Sequence, residues 1–92
     1  MEEQTKAKIL VRLKSIEGHV RGVARMVEEG AYCVDILQQI VAIQSALDKA
    51  RSLILENHLH TCVTTAIRGE KQEERERVIG ELLDLFEASS KL

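Results

Sequence analysis

The chain has 92 residues, no proline, no tryptophan and only two aromatic side chains, Tyr32 and Phe86, with a formal net charge of -2. Length and composition fit one small domain, residues 1–92, of helical-bundle or coiled-coil type, and argue against an aromatic platform for RNA bases. With no apolar run near the ~18 residues of a membrane span and no signal-peptide pattern behind Met1, the expectation is a cytoplasmic protein with no membrane partner.

The first element is expected over about residues 5–29. Ile9, Leu13, Ile16, Val20, Val23 and Val27 recur at spacings of 4, 3, 4, 3 and 4, a heptad-like apolar seam. Thr5 can cap its start and Gly30 suits a left-handed stop. The net charge hides an uneven distribution. Residues 6–27 carry Lys6, Lys8, Arg12, Lys14, Arg21 and Arg25 against Glu17 alone, a local +5. Lys8, Arg12 and His19 lie on one flank of the seam, and Lys14, Arg21 and Arg25 on the other. Most charged faces are merely solvated. Here only one acid interrupts the run, and Gly18 and Gly22 stand mid-helix opposite the seam, where each costs ~1 kcal/mol relative to Ala. Close approach of a phosphate backbone to these stripes is the reading that uses both facts. No helix-turn-helix or finger motif is present, so any sequence reading would fall to a surface built from several subunits.

After a short break at Gly30-Ala31-Tyr32, the second helix is expected over about 33–68. Its apolar positions are Ile36, Leu37, Ile40, Val41, Ile43, Leu47, Ile54, Leu55 and Leu59. At roughly 54 Å it is too long for its neighbours to cover, so its middle, Ile40 to Leu55, is expected to pack on its own copy in an antiparallel four-helix core. Gly69 ends it. The third helix is expected over about 71–88 with Val78, Ile79, Leu82, Leu83 and Phe86. Residues 70–92 carry seven acids against Lys71, Arg75, Arg77 and Lys91, a local -3.

Three residues of the long helix carry the chemistry. His58 and Cys62 are four apart, one above the other in an α-helix. Cys33 lies 25 residues upstream. At ~100° per residue it returns to within roughly 20° of His58, yet roughly 37 Å away along the axis. One chain cannot close that gap with the helix intact; a second copy packed antiparallel can. Taken singly, each is an ordinary residue, since cysteine is a common small hydrophobe. Together they describe a soft site shared between subunits. Two thiolates and one imidazole suit Cu(I) or Zn(II). Three donors fit three-coordinate Cu(I) best, because zinc wants a fourth and neither His60 nor Glu56 faces the same way. No nucleophile–base–orienter set or cofactor loop is present, so neither enzymatic activity nor a small-molecule substrate is expected.

The chain resembles the copper-sensitive operon repressor (CsoR/RcnR) family of bacterial metal-responsive DNA-binding proteins over nearly its whole length. The resemblance rests on Arg12-Leu13-Lys14-Ser15-Ile16-Glu17-Gly18-His19-Val20-Arg21-Gly22, on Ala31-Tyr32-Cys33-Val34-Asp35-Ile36-Leu37-Gln38-Gln39-Ile40 and on Asn57-His58-Leu59-His60-Thr61-Cys62. It implies an all-α, three-helix protomer with a long central helix, whose antiparallel four-helix-bundle dimer assembles into a dimer-of-dimers tetramer. It implies Cu(I) at Cys33, His58 and Cys62 drawn from two protomers, with Tyr32 and Glu81 communicating with the ligand histidine. It implies operator double-stranded DNA as partner, held by Arg12, Lys14 and Arg21, with Lys49 and Arg51 in the second helix beside Ser52, where some members carry a base. In such a repressor the copper-free tetramer binds its operator, and copper binding weakens that hold and derepresses copper-resistance genes. Nickel and cobalt members use an N-terminal histidine where this chain has Glu2 and Glu3. Formaldehyde sensors use an N-terminal proline, and persulfide sensors lack the histidine. The alternatives are another inducer on the same scaffold (zinc, nickel, cobalt, formaldehyde or a persulfide) and a helical metal-binding oligomer that never touches DNA.

Overall fold

The computed structural model describes residues 1–90; Lys91, counted above with the last segment, lies outside the described residues. Among the described residues the regular elements are all helical: α1 (Glu3–Glu28), α2 (Cys33–His58), a π-helical turn (Leu59–Val63), α3 (Thr64–Arg68) and α4 (Gln72–Ser90). They fall into two packing units, the first ending at Leu55 and the second beginning at Glu56.

In the first unit α1 begins earlier than Thr5. Glu2, in extended conformation, is the N-cap and uses no side-chain hydrogen bond; its carbonyl accepts from the N–H of Lys6 at 2.9 Å. Thr5 therefore lies inside the helix and caps nothing. An acid in the first turn, Glu3, and a base in the last, Arg25, complement the helix dipole instead. The C-terminus is a Schellman motif. The N–H of Gly30 donates to the carbonyl of Val27 at 3.1 Å, and that of Ala31 to Met26 at 2.9 Å. Gly30 takes φ +71°, the one left-handed residue among those described. Tyr32 then opens α2, its carbonyl accepting from the N–H groups of Asp35 and Ile36.

The apolar seam of α1 divides. Ile9, Ile16 and Val23 are buried, whereas Leu13, Val20 and Val27 remain exposed. A 3–4 spacing marks an apolar arc but not its width, and here the alternate members face different neighbours. Ile16 and Val23 pack with Ile43, and Ile36 and Ala46 close against them. On α2 the inward positions are thus Ile36, Ile43, Ala46 and the buried Ala50. A second stripe, Leu37, Ile40, Leu47 and Ile54, is exposed in the single chain. Each buried aliphatic side chain contributes roughly 1.5–3 kcal/mol, so one face of α2 is used and another is left wet.

In the second unit the helical backbone continues from α2 through the π turn into α3, up to Gly69. Val63, Ala66 and Val78 form a small core, with Leu82 packed on it. The Arg75 guanidinium donates to the carbonyl of Gly69 at 2.6 Å and ties the loop to α4. Of the apolar positions expected on this helix, Ile79, Leu83 and Phe86 stay exposed.

Glycine substitutions separate two roles. Gly30→Ala should lose about 1–2 kcal/mol of stability, the cost of a left-handed residue with a Cβ. Gly80 lies within α4 at an ordinary φ, and a Cβ added there would meet nothing within 4 Å, so Gly80→Ala should gain about 1 kcal/mol. Denaturant titrations at one fixed protein concentration read both.

Candidate metal centre and basic face

Cys33 is the first residue of α2, in the first unit; its thiol is free and exposed. His58 is the last residue of α2, half-buried, in the second unit. Cys62, also free and exposed, lies inside the π turn. Among the described residues of the one chain, no three His, Cys, Asp or Glu side chains group as a metal site.

The π turn is a feature that the sequence alone does not disclose. The N–H of Thr64 reaches back five residues to the carbonyl of Leu59, and its hydroxyl donates to the same oxygen. The Thr61 hydroxyl lies 2.8 Å from the carbonyl of Asn57 and 3.6 Å from Cys62 Sγ, donating toward both. A turn closed by i→i+5 bonds is wider than an α turn, so it changes the angular offset of Cys62 from His58. Single-turn π segments inside α-helices are frequent at functional sites. The one hint in the sequence is the β-branched run Thr61, Val63, Thr64, Thr65, which is stiff at χ1 but equally compatible with a regular helix. His60 stands exposed in the same turn.

Tyr32 is 70% exposed, with its backbone engaged at the start of α2. Glu81, on α4, accepts from the Arg77 guanidinium at 2.7 Å, and Arg77 also lies 3.6 Å from Glu74. Among the described residues no hydrogen bond joins Glu81 to His58. The Arg77 contact uses Glu81 Oε1, and the carboxylate keeps further acceptor sites. The i+4 spacing of Arg77 and Glu81 was visible in the sequence as an ordinary helical ion pair.

On α1, Lys8, Arg12, Lys14, Arg21 and Arg25 are all exposed. Arg21 pairs with Glu17 at 2.9 Å, a solvent-exposed i,i+4 bridge worth only a few tenths of a kcal/mol and readily exchanged for another anion. A recess of about 330 Å³ is lined by Arg21, Ala24, Arg25 and Glu28. Gly18 and Gly22 leave space on their helix: a Cβ at Gly18 would meet only the Arg21 guanidinium at 3.7 Å, and one at Gly22 nothing within 4 Å. On α2, Lys49 is exposed and Arg51 lies 3.2 Å from Asp48. His19 differs from the other basic-face candidates. It is half-buried, and its Nε2 lies 2.7 Å from Oε1 of Gln39 on α2.

Two exposed thiols and an imidazole are a donor set for a soft metal ion. The cationic stripe of α1 is a donor set for phosphate. The comparisons with known proteins point the same way. Residues 5–88 match the family model described as metal-sensitive transcriptional repressor. The copper-sensing transcriptional repressor CsoR of Bacillus subtilis is 49% identical over 86 residues, covering 94% of this chain and 82% of that protein. The protein of the same name from Mycobacterium tuberculosis is 52% identical over 58 residues, covering 63% of this chain and 49%, about half, of its own length. Among solved structures, the copper-sensing repressor CsoR of Geobacillus thermodenitrificans, crystallised with Cu(I), has a TM-score of 0.87 at 42% identity, covering 98% of this chain and 91% of that one. A variant of the formaldehyde-responsive regulator FrmR of Salmonella enterica serovar Typhimurium has a TM-score of 0.80 at 32% identity, covering 95% of this chain and 96% of its own. The nickel-responsive regulator InrS has 0.74 at 38%, covering 94% and 93%.

Proposed function

The chain belongs to the family of metal-sensitive transcriptional repressors, and we propose that within it this protein is a repressor released from DNA by Cu(I). The observation that carries the proposal is the outward stripe of α2. Cys33, Leu37, Ile40, Gln44, Leu47, Arg51, Ile54 and His58 follow one another at alternating spacings of four and three. Leu37, Ile40, Leu47 and Ile54 are exposed in the single chain. The pattern reads the same in both directions about a point between Ser45 and Ala46. Two copies of α2 laid antiparallel about that point set Leu37 against the partner's Ile54, and Cys33 level with the partner's His58. The apolar face that needs a cover and the ligands that need each other call for the same two-fold pairing.

In that dimer Cys33 of one protomer would join His58 and Cys62 of the other, and the ion would supply the attraction that draws the two α2 helices into one fixed relation. Two thiolates with a single imidazole favour a monovalent, soft, low-coordinate ion over zinc, which would look for a fourth donor. His58 can hold the metal through one ring nitrogen and report through the other, with Tyr32 and Glu81 as candidate partners. Glu81 would share or exchange its Arg77 partner to do so. The basic stripe of α1 (Lys8, Arg12, Lys14, Arg21, Arg25), with Lys49 and Arg51 of α2, would track operator phosphates in the metal-free tetramer. Metal and DNA then compete through conformation. By linkage, the metal must bind the DNA-free form more tightly by the factor by which it weakens DNA binding.

The formaldehyde- and nickel-responsive relatives favour one second reading, a different inducer on the same scaffold. A titration of the DNA complex with Cu(I), Ni(II), Zn(II) and formaldehyde in separate arms distinguishes the two.

Cu(I) should bind at about one equivalent per protomer with two sulfur donors and one nitrogen by X-ray absorption. Mixing Cys33→Ala with Cys62→Ala chains should restore one intact site per mixed dimer; mixed dimers with no intact site would assign the ligands to a single chain. Arg12→Ala and Lys14→Ala should weaken binding to the DNA upstream of the protein's own gene and flatten its salt dependence, while leaving metal stoichiometry alone. Unchanged affinity in both would leave the stripe as solvated surface. Tyr32→Phe and Glu81→Ala should keep near-normal Cu(I) binding but lose about 1–2 kcal/mol of the coupling between metal and DNA, read from paired DNA titrations with and without the metal.

A further inference from the structure

Among the described residues, the buried positions of α1 and α2 are apolar, and one half-buried polar pair stands between the two helices. Ile9, Ile16 and Val23 are buried from α1, and Ile43 and Ala50 from α2, with Ile36 and Ala46 packed on the Ile16–Val23–Ile43 cluster. His19 falls one turn after Ile16 and one before Val23. Gln39 falls one turn after Ile36 and one before Ile43. Both are half-buried, and Nε2–H of His19 donates to Oε1 of Gln39 at 2.7 Å.

Such a pair adds little to stability. A hydrogen bond exchanged for bonds to water nets ~1 kcal/mol, and two aliphatic side chains at these positions would do as well or better. What it adds is direction. Apolar ridges tolerate sliding and rotation past one another, because dispersion contacts are non-directional. A 2.7 Å bond between two specified atoms does not, and polar pairs in otherwise apolar helix seams are the best-attested way of fixing register. The elements joined here are the two that matter. Gln39 lies on the helix that Cys33 opens, six residues after it, and His19 lies on the helix that carries Arg12, Lys14, Arg21 and Arg25.

We propose that the His19–Gln39 hydrogen bond is a positioning device that makes the basic face of α1 follow movement of the Cys33 end of α2. It rests on the repressor reading above and deepens it by naming a link from metal helix to DNA helix. On this account His19 is a positioning residue that acts through Gln39, and its place beside the basic stripe does not make it a phosphate contact.

The test uses the full-length chain and a duplex of the DNA directly upstream of its own gene. For parent, Gln39→Leu and Gln39→Glu, DNA affinity is measured with and without stoichiometric Cu(I), together with metal stoichiometry and melting temperature. The parent should lose at least about tenfold in affinity on adding the metal, within the range usual for such coupling. Gln39→Leu, which removes the acceptor, should keep metal-free affinity within about threefold of the parent and the full metal stoichiometry, while the metal-induced loss shrinks to about threefold or less. Gln39→Glu, whose carboxylate still accepts from the imidazole, should restore the parental ratio. Should Gln39→Leu fail to fold, the His19→Leu/Gln39→Leu pair, which completes the apolar seam, is read for the same ratio. A full parental ratio in the folded leucine variant, or no recovery in Gln39→Glu, overturns the inference and leaves the repressor reading standing. A parent that never releases DNA removes the repressor reading, and this inference with it.

Discussion

A helix wetted on two sides has to be covered twice, and α2 is such a helix. Its inward positions are buried by α1, using Ile16 and Val23 on Ile43, Ile36 and Ala46. Its outward stripe, Leu37, Ile40, Leu47 and Ile54, is exposed among the described residues. With about 3.6 residues per turn and two stripes each recurring every ~3.5, both faces persist side by side along the whole rod. Ninety-two residues supply one covering helix for the first unit. In the proposed dimer the second cover is the α2 helix of another copy. Cys33 and His58 are the first and last residues of α2, so in the proposed pairing the exposed stripe also sets where the candidate ligands would meet.

Charge follows a comparable division. α1 keeps its cations exposed to water, and Arg21 bridges the equally exposed Glu17. On α4, Arg77 is held between Glu74 and Glu81, and Gln72 donates to Glu76, in a segment that stays net acidic. Cationic side chains without an acid nearby suit a polyanion, and a net acidic helix repels one. Glu81 stands apart, because the role proposed for it would draw on a carboxylate that already holds Arg77 at 2.7 Å and could share or exchange that partner. That exchange costs little at an exposed site, where an ion pair is worth well under ~1 kcal/mol.

The sequence was most legible where a single residue decides the backbone. Gly30 announced its left-handed stop because so few residues serve there, and Gly69 ended the long helical stretch in an extended conformation open to any residue. α1 and α4 lie within two residues of their expected ends, whereas the second helix, expected over about 33–68, is α-helical only to His58 and passes through the π turn into α3. Thr5 misled because side-chain type alone says nothing of which carbonyl first accepts a helical bond, and that carbonyl was Glu2's. The α1 seam was legible as apolar but not as divided: spacing says which residues share an arc, and only the neighbour decides that Ile16 is covered and Val20 is not. The three candidate ligands, Cys33, His58 and Cys62, were singled out by identity and helical phase. The π turn around Cys62 was not, since it arises from backbone bonding that threonine and valine permit but do not demand. His19 was legible by charge type as part of the basic face, while its pairing with Gln39 depended on the packing angle of two helices 20 residues apart in sequence.

A π turn stores one residue more than an α turn needs. The segment Leu59–Val63 thus works as a phase offset written into an otherwise uniform rod, closed by the doubly used carbonyl of Leu59. Everything beyond it, Ala66 included, is in step with the offset and out of step with the helix before it. Were the turn to wind back to α geometry, the surplus residue would have to pass along the chain, and α3 would rotate by about 100° about its axis. Val63 and Ala66 could not both keep their places on Val78 through such a rotation. The small core of the second unit therefore acts as a pawl on that slippage, and Cys62 inherits its bearing from a core it does not itself enter.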